Sequence, residues 1–205
     1  VPGKACTVEH ISPEMAALGQ GFDYFGSSVA ALGDLDSDGA PDIAVGAPGD
    51  DDSRGYQVLG EQNQKGAVYV LFMNNKLEPV RMTKISSRSG NLGALLLKED
   101  HFGASVACVG DVDGDRTPDL AVGAPGDDGS GSLGFQNPGA VYILMMNRDG
   151  TVKRTQEVSS VSGISRSLGI GKIRDNDRFG ESVGAIGDIN DDGVPDLAVG
   201  AVFSD

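Results

Sequence analysis

Apolar and polar positions alternate along this chain in short runs, never in long ones. Ser27 to Leu32 interleaves small and apolar residues. After an acidic interruption, Pro41-Asp42-Ile43-Ala44-Val45-Gly46-Ala47-Pro48 is apolar nearly throughout, and Gly66-Ala67-Val68-Tyr69-Val70-Leu71-Phe72 follows. A fourth run spans Val80 to Ser86. Runs this short, β-rich and bounded by Gly, Pro or Asp, predict strands. Each proline is expected at the first residue of its strand, where a missing N–H is tolerated. No stretch carries the periodicity of an amphipathic helix.

The same series then returns. Phe102-Gly103 opens a run to Val109, and residues 118–125, 139–145 and 151–159 repeat the second, third and fourth runs. Phe179-Gly180, a run to Ile186 and residues 195–202 begin it a third time. The turns Asn74-Asn75 and Asn147 to Gly150 close hairpins. The acidic interruptions start at Asp34, Asp111 and Asp188, 77 residues apart each time. That constant period conceals two compensating changes. The Pro48-to-Gly66 connection is four residues longer than Pro125 to Gly139, and Ile85 to Phe102 is four shorter than Val158 to Phe179. Strands that stack must keep their length, whereas surface loops need not.

Four strands per unit, joined by short connections and repeated about an axis, describe a β-propeller. A linear β-solenoid usually has coils much shorter than this period. The expected fold is therefore all-β: a partial propeller of four-stranded antiparallel blades. Its units are residues 1–24 (a strand-like segment, Ala5 to Ile11, and a connection), 25–101, 102–178 and the partial unit 179–205. Propellers typically have 4–8 blades, so these residues are expected to join further repeats of a longer chain, or another copy of themselves. Val1 opens no signal-peptide pattern, so the start reads as processed or cut.

The acidic interruptions carry the candidate chemistry. In D-x-D-x-D-G-x-x-D, the carboxylates at positions 1, 3 and 5 can wrap round one ion, the carbonyl at position 7 can add an oxygen, and Asp at position 9 closes the shell. The first set is Asp34, Asp36, Asp38, the Ala40 carbonyl and Asp42. The second is Asp111, Asp113, Asp115, Thr117 and Asp119. The third is Asp188, Asn190, Asp192, Val194 and Asp196. Ca²⁺ takes 6–8 oxygen ligands, and the expectation is three Ca²⁺ sites. The loops start like an EF-hand but lack Glu at position 12, where Val45, Val122 and Val199 stand, and no helix flanks them. No His or Cys occurs in them, which disfavours zinc. Mg²⁺ suits an all-protein cage of this size less well. A single copy could be a solvated acidic turn; three copies in register argue for metal.

Phe-Gly, then the acidic loop, then Gly-Ala-Pro resembles the FG-GAP repeat of the integrin alpha-subunit β-propeller and its relatives. The resemblance covers most of residues 22–203. It implies calcium-binding β-hairpin loops between the first two strands of each blade, structural rather than catalytic metal, and an extracellular setting, secreted or at the cell surface. Two departures stand out: the third copy reads Gly200-Ala201-Val202, and the repeats are longer than usual for integrins. A relative outside the integrins proper is the expectation. No Arg-Gly-Asp and no Asn-x-Ser/Thr occurs.

Charge and the remaining residues narrow the function. The formal net charge is −14, which argues against nucleic acid and against an anionic membrane as direct partners. No apolar run approaches the roughly 20 residues that span a bilayer, so direct membrane insertion is not expected. Cys108 fills the slot of Ala31 and Ala185 and reads as a small core thiol; Cys6 has no counterpart, and no disulfide framework is indicated. Phe25, Phe102 and Phe179 read as core residues between blades. No nucleophile elbow or phosphate loop occurs, and neither His10 nor His101 has a catalytic setting, so no enzyme is expected. The reading is an adhesion or binding module for an extracellular protein or glycan; the alternative is a non-catalytic accessory propeller of a larger secreted enzyme. The acidic runs 50–52 and 127–128 read as solvated loops, or as a further cation site or basic-partner contact. Strands running antiparallel put the metal loops on one face and the length-variable connections on the other. Tyr56, Gln57, Phe135 and Gln136, in the long second-to-third connections, are the candidate partner-binding residues.

Overall fold

A computed structural model of the chain describes residues 23–51, 63–94, 96–128, 137–160 and 173–204. Ten strands run through them, with no helix among the described residues. The first blade is β1 (Ser28–Gly33), β2 (Asp42–Ala47), β3 (Ala67–Met73) and β4 (Pro79–Ile85). The second is β5 (Ser105–Gly110), β6 (Asp119–Ala124), β7 (Ala140–Met146) and β8 (Val152–Ser159). The third unit contributes β9 (Phe179–Gly187) and β10 (Asp196–Ala201). Each sheet is antiparallel in sequence order, and β5 packs on the first sheet as β9 packs on the second. This is a partial β-propeller. The expected runs are the observed strands within a residue or two. One small correction is that Pro41, Pro118 and Pro195 stand just before their strands rather than in the first position.

Burial explains why the middle strands read as continuous apolar runs. Side chains alternate across a sheet, and here both faces are covered. Val68, Val70 and Phe72 of β3 join the core shared with the second blade, while Tyr69 and Leu71 point into a separate cluster on the opposite face. In β7, Tyr142 and Leu144 face the first blade, and Val141 packs with Phe179, Val183 and Val199 of the third unit. The outer strand β4 needs less cover and is largely exposed or half-buried. Cys108 is a free, half-buried thiol at the margin of the main core rather than fully inside it.

The Phe-Gly and Gly-Ala pairs weld one blade to the next. The Phe102 amide donates to the Lys65 carbonyl at 3.0 Å, Phe179 does the same to Pro138 at 2.9 Å, and both phenylalanines are buried. Within the second blade the Gly103 amide donates to the Gly123 carbonyl at 3.0 Å. Its own carbonyl accepts the Ser28 hydroxyl of the first blade at 2.9 Å; Ser105 and Gly180 repeat this at 2.8 Å. The approach is close enough to exclude a side chain. A β-carbon built on Gly46 would lie 2.0 Å from the Gly103 oxygen, and one on Gly123 would lie 1.9 Å from that of Gly180. The strand order places the β1–β2 and β3–β4 connections at one end of each blade and the β2–β3 and β4–β5 connections at the other.

Candidate metal centres

Each acidic loop grows out of a bulge at the end of the first strand. Gly33, Gly110 and Gly187 adopt φ of +69°, +74° and +75°, with a register shift in the hairpin at each. Glycine in the left-handed region is the signature of such a bulge, which bends the strand and re-aims the loop beyond it. The position-1 carboxylate then ties the loop together. Asp34 accepts the amides of Asp38 at 2.9 Å and Gly39 at 3.0 Å; Asp188 accepts those of Asp192 at 3.1 Å and Gly193 at 2.8 Å. Asp111 does so for Gly114, Asp115 and Arg116. The position-5 carboxylates of Asp38, Asp115 and Asp192 each accept the amide two residues on, at 2.8 Å.

Position 9 does something further. Asp42 and Asp119 are completely buried. Asp42 accepts the Leu35 amide at 2.9 Å and the Met73 amide at 3.0 Å; Asp119 accepts Val112 and Met146, both at 2.8 Å. One carboxylate thus fastens the loop to the end of the third strand. Burial raises the pKa of both, and the amide hydrogen bonds pull it back. Asp196 keeps the first of these bonds, to Ile189 at 2.8 Å.

Two loops gather carboxylates tightly enough for an ion. Oxygens of Asp34, Asp36 and Asp42 lie within 4.8 Å of one another, as do those of Asp111, Asp113 and Asp115. Asp38 is outside the first group and Asp119 outside the second. The first loop fits a cation best: Oδ1 of Asp36 is buried without a hydrogen-bond partner. Basic side chains stand over both groups. Arg81 reaches Asp36 at 3.2 Å, and Lys153 reaches Asp113 at 2.8 Å and Asp115 at 2.7 Å. The Lys153 bond, with help from Thr117, lowers the Asp115 pKa to about 2.

Comparison with known proteins accords with this architecture. The FG-GAP repeat profile matches residues 25–71 and 102–144. The chain is 34% identical over 184 residues, 87% of its length, to integrin alpha-3 of Cricetulus griseus. It is an integrin-like FG-GAP propeller relative. Integrin alpha-6 of Homo sapiens is 32% identical over 200 residues, 94% of the chain, and human integrin alpha-11 is 31% identical over 180 residues, 87% of it. The chain spans only 14%, 14% and 12% of these three proteins, respectively.

The opposite end of this integrin-like propeller holds features that the sequence pattern misses. Asp50 and Asp127 are not solvated; both are buried and accept the hydroxyls of Tyr69 (at 2.6 Å) and Tyr142. A tyrosine at the same place in each third strand was the available signal. Lys84 completes the first arrangement, 2.7 Å from Asp50. Nearby, burial first and neighbouring carboxylates second raise Asp23 to about 6 and Asp100 to about 7. His101 lies between Gln64, 2.9 Å from its Nε2, and Gly126, and burial lowers its pKa. It lines a cavity of about 370 Å³ with Glu99, Gly126, Asn137, Asn176, Arg178 and Phe203. Tyr56, Gln57, Phe135 and Gln136 lie outside the described residues, as do Cys6, His10 and the Ala5–Ile11 segment.

Proposed function

We propose that the chain is a calcium-stabilised extracellular propeller module, without catalysis of its own, that binds a protein or glycan through the face opposite its acidic loops. The observation that carries the calcium reading is the buried, unpartnered Oδ1 of Asp36 beside Asp34 and Asp42. A buried charged oxygen without a donor is costly, and a hard cation is the partner this oxygen-only donor set suits. The ion would be held by Asp34, Asp36, Asp38, Asp42 and the Ala40 carbonyl, by their counterparts Asp111, Asp113, Asp115, Asp119 and Thr117, and by Asp188, Asn190, Asp192, Asp196 and Val194. Bound calcium would supply positive charge that offsets carboxylate repulsion. The chain supplies a loop already shaped by its own amide hydrogen bonds.

Millimolar calcium against a Kd of roughly 10–100 µM would add about 1–3 kcal/mol per site, absent binding to the unfolded chain. Thermal melting with and without excess chelator is the test. A melting temperature that falls in chelator is expected; an unchanged one overturns the reading. The surroundings of the third unit support a multi-repeat setting: β10 is only half-buried where β2 and β6 are almost wholly covered. The partner-binding reading rests on the polar cavity and on the length-variable connections that share its face.

A further inference from the structure

The first and second acidic loops differ in the basic side chain that stands over each. Lys153, on the outer strand β8, places its Nζ 2.8 Å from Oδ2 of Asp113 and 2.7 Å from Oδ2 of Asp115, positions 3 and 5 of the second loop. Among the described residues these carboxylates are its only hydrogen-bond partners. Arg81 stands over the first loop with a different attachment. Its Nη2 reaches Oδ2 of Asp36 at 3.2 Å, its Nη1 donates to the Asp149 carbonyl of the next blade at 3.0 Å, and its guanidinium lies 3.3 Å from the centre of the Phe72 ring. Arg81 is held at three points and leaves Oδ1 of Asp36 free.

We infer that Lys153 is a tethered counter-ion of the second loop: it occupies Asp113 and Asp115 while no divalent ion is bound and swings out when one enters. This rests on the calcium reading above. An ammonium and a calcium ion on the same two oxygens would be two positive centres a few ångströms apart, which repel and compete for the same lone pairs. A lysine ammonium is a compact point charge on a flexible stem and can withdraw into solvent. Arg81, fixed by ring and carbonyl, has no such freedom and needs none, because it touches one oxygen only. Calcium binding in the second loop therefore costs the two exposed ion pairs of Lys153, whereas Arg81 keeps its place over the first. Calcium also releases the Lys153 ammonium to solvent, a change of local surface charge confined to the second blade.

The test is an NMR titration of the whole chain with calcium alone, starting from the chelated protein. The amides of Gly39, Gly114 and Gly193 report the three loops separately. Lys153→Met, which keeps most of the stem, should tighten the Gly114 response by about 2- to 10-fold, the size expected for exposed ion pairs. Gly39 and Gly193 should keep their midpoints, and Lys153→Arg should restore the wild-type value. In the wild type, the side-chain signals of Lys153 should move with the same midpoint as Gly114. If Gly114 responds to calcium but Lys153→Met leaves it unchanged or weaker, the counter-ion role is wrong and the calcium reading stands. Equal tightening at all three loops also overturns it, because that is a general charge effect. If Gly114 never responds in the wild type, the second loop is no calcium site and the inference falls with it.

Discussion

Positions 4 and 6 of each acidic loop are both left-handed, and this decides which residues are comfortable there. Ser37 and Gly39 have φ of 66° and 93°, Gly114 and Arg116 have 81° and 69°, and Asp191 and Gly193 have 59° and 85°. Each loop thus spends one glycine and forces one other residue into a conformation that costs about 1–2 kcal/mol without help. Asn and Asp suit the region best among non-glycines, so Arg116 is the worst placed. Arg116→Gly should stabilise the protein by about 0.5–1 kcal/mol in chemical denaturation, net of the chain entropy that glycine adds. The recurrence of carboxylate and carbonyl donors was legible in the sequence because it is local. The double duty of position 9 was not, since the Met146 amide lies 27 residues from Asp119. That difference is measurable. Asp115→Ala should lower the melting temperature in calcium and hardly at all in chelator. Asp119→Ala strands two buried amides and should cost about 2–4 kcal/mol in both conditions. Equal behaviour of the two variants would refute the separate roles.

Strands and their turns follow from pattern and punctuation, which is why β1 to β10 were readable in advance. The contacts between blades were readable only as a motif. Phe-Gly and Gly-Ala recur in the sequence, but nothing in one chain says that the glycine of one pair lies against the glycine of the other across a blade interface. The close approach of Gly123 to Gly180 and Ser105 supplies the reason. Gly123→Ala should therefore force the second blade and third unit apart and destabilise by about 2–4 kcal/mol. Gly184, on β9, is the matched control: a β-carbon there meets nothing within 4 Å. Gly184→Ala should be neutral or slightly stabilising, through the lower entropy of the unfolded chain. If both variants melt alike, close packing is not what these glycines provide. The partner-face expectations at Tyr56, Gln57, Phe135 and Gln136 had a weaker basis, because loop composition fixes neither which side chains meet nor what they meet.

At the scale of the whole molecule, the two ends of the propeller handle negative charge in opposite ways. The acidic-loop end exposes most of its carboxylates and leaves them to basic side chains or a metal. The far end buries Asp50, Asp100, Asp127 and Asp177, and the two blades treat theirs differently. On β4 of the first blade Lys84 pairs with Tyr69 in register and bonds Asp50; at the same place on β8 Glu157 pairs with Tyr142. The second blade thus has an acid where the first has its compensating amine, and burial, with the charges of Asp127 and Asp128 only weakly offset by Lys65, pushes Asp100 up to about 7. The sign follows from proton counting. An acid whose pKa is raised by folding is protonated in the native state where the unfolded chain, near 3.8, has already ionised, so the fold binds the extra proton between about 4 and 7. Stability gained from that proton is present at the acid end of the window and lost as pH rises through about 7. Asp23, titrating near 6, adds to it in the same direction. With calcium kept saturating, the melting temperature should fall between about pH 5 and 7.5, opposite to the trend that ion-paired carboxylates produce. Asp100→Asn keeps an oxygen for the Leu97 amide and removes the charge. It should raise the melting temperature at about pH 7.5 and flatten the slope, while Asp111→Asn, at the other end, should leave the slope as it is. A melting temperature that climbs over the same pH range in the unaltered protein would mean that Asp100 and Asp23 are ionised throughout, held by charge compensation stronger than Lys65 and Lys84 supply.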